Sequence, residues 1–151
     1  MAEARVQAAD FDPGAELARL QTITQGAGAL ASFIGLVRSD ATHPIDSMTL
    51  EHYPAMTEQA VTRIAQDAEQ RFHLLACTVI HRYGRLLPGE RIVFVGTAAS
   101  HRRAAFQAAD FLMDWLKTKA PFWKSETLPD GTKTWVQARS TDDTAAARWG
   151  S

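Results

Sequence analysis

The sequence predicts an α+β domain built on a largely antiparallel sheet. Three observations point there. Segments alternating at the two-residue period of strands are mixed with segments of helical period, without strict strand-helix-strand order. Two pairs of strand-like runs are joined by Pro-Gly stretches too short to hold a crossover helix. The 151 residues, 46% of them hydrophobic, suffice for one domain with its own core, expected to span 1–151.

The elements follow in order. Asp12-Pro13 opens a helix to about Gln25 that places Leu17, Ala18, Leu20 and Ile23 on one side, and Gly26 and Gly28 end it. Ala29 to Val37 reads as a strand built around Leu30, Phe33, Ile34 and Val37, with Arg38 at its exit. Ser39 to Asp46 is a polar loop and a candidate for mobility. Met48, Leu50 and His52 alternate with Thr49, Glu51 and Tyr53 in a second strand, which runs into Pro54 and a helix with Val61, Ile64, Ala65, Ala68 and Phe72 inward. Leu74 to Tyr83 and Arg91 to Thr97 form an antiparallel pair joined through Leu87-Pro88-Gly89-Glu90, where Pro then Gly suits a type II turn. Residues 101 to 119 form the longest helix, its inner face carrying Ala105, Ala108, Ala109, Leu112, Trp115 and Leu116. Phe122 to Thr127 and Lys133 to Val136 make a hairpin around Pro129-Asp130-Gly131, and Thr141 to Trp149 is helix-permissive.

Composition excludes several classes of function. A net charge of −1 and a pI near 6.5 give no bulk pull toward nucleic acid or membrane, so any anion site must be local. No run approaches the ~20 apolar residues of a membrane span, and MAEARVQAADFD lacks the order of a signal peptide, so a cytoplasmic location is expected. Cys77 is the single cysteine and lies in an apolar run, where it reads as a small hydrophobe. The five histidines, His43, His52, His73, His81 and His101, show no metal-ligand spacing; neither a metal nor a resident cofactor is expected.

Two features carry chemistry. In LKTKAPFWK, Lys117 and Lys124 straddle Pro121, which stops the helix near Ala120 and puts Lys124 on the next element. Two amines meeting from different elements beside apolar rings suit a catalytic pair with a lowered lysine pKa. Surface lysines whose stems cover the rings give the same spacing. Second, Ser100 is a good N-cap, yet His101, Arg102 and Arg103 follow it, against the helix dipole. A bound phosphate or acidic neighbours would each answer that charge. With Arg38, these basic termini favour an anionic substrate. His101 and Lys117 are about 24 Å apart along the helix at 1.5 Å per residue, so a small pocket holding both needs a second protomer or a folded-back chain.

The segments FIGLVR (33–38), LEHYPAM (50–56), VIHRYGRLLPGE (79–90), HRRAAF (101–106) and LKTKAPFWK resemble, in order, the MoaE family, the large catalytic subunit of molybdopterin synthase. The resemblance implies an α/β-hammerhead-like fold with a small added β subdomain, and a homodimer within a heterotetramer. It implies a small ubiquitin-like partner whose C-terminal Gly-Gly thiocarboxylate delivers sulfur to cyclic pyranopterin monophosphate, forming the molybdopterin dithiolene of the molybdenum cofactor. On the family's pattern Lys117 and Lys124 are catalytic, and Arg38, His101 and Arg102 hold the substrate's anionic parts. Leu36, Val37, Ser125, Glu126 and Arg139 complete the expected binding set, with Glu126 placed to orient Lys124 from the same strand face. Leu36 and Ser125 stand where some relatives are basic, which leaves Lys119 or Lys133 to carry that charge. A poorly nucleophilic Cys77 fits sulfur arriving on a partner. Two other readings stay open: a non-catalytic module that binds a partner's tail at Phe122-Trp123, and a phosphometabolite enzyme forming a Schiff base at either lysine.

Overall fold

A computed structural model describes residues 1–136 and 140–150. Two four-stranded sheets carry the chain. The first has the order β1 (Ala2–Gln7), β4 (Ala76–Arg82), β6 (Arg91–Ala99), β2 (Ala29–Leu36). The second has the order β5 (Gly84–Leu86), β3 (Ser47–His52), β7 (Phe122–Thr127), β8 (Lys133–Val136). All pairings are antiparallel except β1 with β4. The α+β expectation therefore holds.

The central strands β4 and β6 are buried along almost their whole length because both faces are covered. On one face Val79, Val93 and Val95 pack with Val61 and Ala65 of α2 (Pro54–Arg71) and Ala108 and Leu112 of α3 (Arg102–Thr118). On the other, Ile80 and Phe94 meet Phe11 and Leu17, the latter from α1 (Pro13–Ile23). Asp12 caps α1 by accepting from the Ala15 N–H, and Pro13 takes the first turn, where its missing donor costs nothing.

The turn at Leu87–Glu90 forms as expected: the Glu90 N–H donates to the Leu87 carbonyl at 3.0 Å, and Gly89 has a φ of 88° that only glycine adopts freely. Two features differ from the sequence reading. Strand β1 is an addition; Ala2, Ala4 and Val6 alternate with polar residues, and their small side chains disguise a core-facing edge strand. Helix α3 is capped at His101 rather than Ser100, without any side-chain cap bond. The tail forms α4 (Ser140–Ala147), and Trp149 beyond it packs edge-on against Phe72 and Phe111 while its indole N–H donates to Asp114. Among the described residues no helix is long and apolar enough to cross a membrane.

Candidate active site

The helix bearing Lys117 stops where Pro121 requires, with the Lys119 and Ala120 N–H groups both turned back to the Trp115 carbonyl. The Pro121 carbonyl accepts from the Thr57 hydroxyl at the start of α2, which anchors the corner. The chain then enters β7, held between β3 and β8. Alternation puts Phe122, Lys124 and Glu126 on one face of that strand, opposite His52, Leu50 and Met48 of β3.

That face forms a wall of a cavity of about 750 Å³. Lys117 and Thr118 enter from α3, Leu36 and Arg38 from the end of β2, His43 from the following loop, Val136 from β8 and Asp142 from α4. Burial pushes the Lys124 ammonium down to about 8, and the neighbouring Lys117 charge pushes the same way, against Asp142 and Glu126. Phe122 lies flat on His81 of β4, ring centroids 3.9 Å apart. The His81 Nδ1 lies 2.8 Å from the Arg82 carbonyl, which can only accept, so that nitrogen carries the hydrogen. Burial, with Lys124 and Lys117 nearby, holds this imidazole neutral, its pKa lowered to about 3. The lysine pair therefore stands on an uncharged aromatic floor. An amine in that setting can take or give a proton near neutral pH, and two such groups can stabilise a developing oxyanion.

The family model described as MoaE protein matches residues 6–119. The chain belongs to the MoaE family. It is 52% identical to the molybdopterin synthase catalytic subunit of Pseudomonas aeruginosa over 96% of this chain and 97% of that protein. A solved structure, the molybdopterin biosynthesis MoaE protein from Burkholderia ambifaria, shares 53% identity at a TM-score of 0.84, covering 100% of this chain and 99% of that one. In a protein-protein complex of subunits 1 and 2 of molybdopterin-converting factor from Helicobacter pylori, a chain 18% identical aligns with a TM-score of 0.71 over 92% of each chain, a likeness of fold alone.

Within this MoaE-family chain the expected site residues divide. Lys117, Lys124, Arg38, Glu126 and Leu36 line one cavity. Val37 is buried in the core, and Ser125 is buried on the opposite face of β7 from Lys124. His101 and Arg102 sit at the far end of α3, about 24 and 22 Å from Lys117 at the helical rise, outside the cavity lining. Arg139 lies outside the described residues. Neither alternative carrier of charge faces the pocket: Lys119 lines a separate cleft with Trp115 and Trp149, and Lys133 lies over the Trp135 ring. The structure adds His43, Asp142 and the supporting His81. No spacing signal marks them, because each comes from an element distant in sequence.

Proposed function

We propose that this chain acts in the cytoplasm as the catalytic subunit of molybdopterin synthase, transferring sulfur from a partner's C-terminal thiocarboxylate to cyclic pyranopterin monophosphate. The observation that carries this reading is the meeting of Lys117 and Lys124 in one cavity, on an apolar floor. The chain's own sulfur is a poor donor, since burial removes Cys77 from solvent and pushes its thiol up to about 12. Sulfur therefore enters on another chain.

In this reading the substrate attacks nothing on the enzyme itself. The thiocarboxylate sulfur adds to a substrate carbon, and the carbon–oxygen bond there breaks as the oxygen takes a proton. Water then cleaves the resulting thioester, returning a carboxylate on the partner's tail and leaving the sulfur on the pterin. Lys124, with its lowered pKa, exchanges the protons of these steps. Lys117, at the end of the helix, holds the anionic substrate and the oxyanion.

A homodimer supplies what one protomer lacks. Edge strand β2 exposes Leu30, Phe33, Ile34 and Leu36, and α3 exposes Phe106 one turn from Arg102. Apolar surface of this kind suits a second copy, whose His101 and Arg102 would then complete the anion site beside Leu36.

The test is incubation with thiocarboxylated small subunit and cyclic pyranopterin monophosphate, following dithiolene formation. Lys117→Ala and Lys124→Ala should each lower turnover at least about a hundredfold, the usual weight of a positioned acid or base. Full turnover by either variant, correctly folded, removes that lysine from the mechanism. Substrate trapped on a lysine by borohydride would instead establish Schiff-base chemistry.

A further inference from the structure

Glu126 stands two residues from Lys124 on the same face of β7, about 7 Å away along the strand and within side-chain reach of the amine. Yet among the described residues Lys124 makes no ion pair, and neither does Lys117. The carboxylate is engaged elsewhere: Glu126 Oε1 lies 2.7 Å from His43 Nε2. A carboxylate only accepts, so this ring nitrogen donates.

The His43 loop is braced to make that contact. The Asp40 carboxylate accepts from the Thr42 N–H, the Thr42 hydroxyl and the His43 N–H, at 3.0, 2.7 and 2.8 Å. The Ile45 N–H donates to the Ser39 hydroxyl, the Ile45 side chain is buried, and the Asp46 N–H donates to the Thr127 carbonyl just past Glu126. The imidazole is thereby presented to the strand rather than left to solvent, although half its surface stays exposed.

We propose that His43 is a positioning residue that holds the Glu126 carboxylate away from Lys124 and so keeps that amine unpaired. Without His43, the carboxylate two residues along the same strand is released to turn toward the lysine, adding a second acidic group to Asp142, whose charge already acts on the amine. An ion pair there would lock Lys124 in its charged form and hold it in place. The other groups facing the amine remain as they are: Lys117 from α3, Asp142 from α4, Arg38 at the end of β2, and neutral His81 from β4. The role assigned to His43 rests on Lys124 being the reacting amine, but its test does not depend on turnover.

The test is competitive acetylation with acetic anhydride from pH 6 to 11, reading modification of Lys124 by peptide mass spectrometry. Wild type should titrate near 8. In His43→Ala the midpoint should rise by about one unit, cutting the free amine about tenfold at neutral pH. His43→Gln, which keeps a donor, should stay near wild type. His43→Ala combined with Glu126→Gln should titrate like Glu126→Gln alone. An unmoved midpoint in His43→Ala, or the same rise in the double variant, overturns the proposal. If the midpoints move as expected while wild type forms no dithiolene, the positioning role stands and the proposed reaction falls.

Discussion

Replacing Lys124 with methionine should stabilise the fold while removing the amine. Lys124 is mostly enclosed between Leu50 and Val136 on the neighbouring strands. Its ammonium, ordinarily at 10.5, is pushed down to about 8, first by burial and then by Lys117. At about 1.4 kcal/mol per pH unit, keeping the charge there costs roughly 3 kcal/mol. The direction follows from proton counts. Between pH 8 and 10.5 the unfolded chain binds a proton that the folded chain has released, so stability rises with pH across that window. Below pH 8 both states are protonated and the full penalty applies. Lys124→Met keeps the apolar stem and has no charge to bury, so at pH 7 it should unfold at higher urea, by up to about 3 kcal/mol. The gap should close as the pH approaches 10.5. Urea titrations of both proteins at pH 7 and 10.5, at one protein concentration, provide the comparison. A variant less stable at pH 7, or a gap that does not change with pH, would refute the reasoning that burial sets the lysine's proton affinity. A stabilised but inactive protein is the trade expected where a charge is held in apolar surroundings for chemistry.

Two further predictions bear on the frame around the site. His81 takes up a proton when unfolded near 6.5 but resists it to about 3 when folded, so the fold loses stability as pH drops through that range. His81→Phe keeps a ring against Phe122 but loses the bond to the Arg82 carbonyl; it should be about 1 kcal/mol less stable at pH 7, and the deficit should shrink or reverse by pH 4. Parallel pH profiles in thermal melts would contradict this. Gly28→Ala would place a Cβ 2.1 Å from the Ser100 carbonyl oxygen, a backbone atom that cannot turn aside. Its cost should be about 2 kcal/mol, lowering the melting temperature by roughly 4–8 °C; an unchanged melt would show that the segment between α1 and β2 shifts freely.

Local pattern in the sequence determined the elements and the end of the helix that carries Lys117. Apolar spacing marks α2 and α3, Pro88-Gly89 marks the turn before β6, and Pro121 forces Lys117 and Lys124 onto different elements. These are consequences of dihedral limits and side-chain period, which act over a few residues. Strand β1 escaped that reading because alanines give little contrast, and only its pairing with β4 shows its role. The ordered sequence motifs also indicated the family. The surroundings of the lysines were a different matter. His43, His81 and Asp142 are separated along the chain by tens of residues; pairing of β3 with β7 and docking of α4 bring His43 and Asp142 to one cavity, and packing of β4 sets buried His81 beneath its Phe122 wall. The same folding turns Ser125 away from Lys124 and leaves His101 and Arg102 at the far end of their helix. A lysine's identity is written in the sequence, but its proton affinity depends on what surrounds it, and tertiary packing alone decides that.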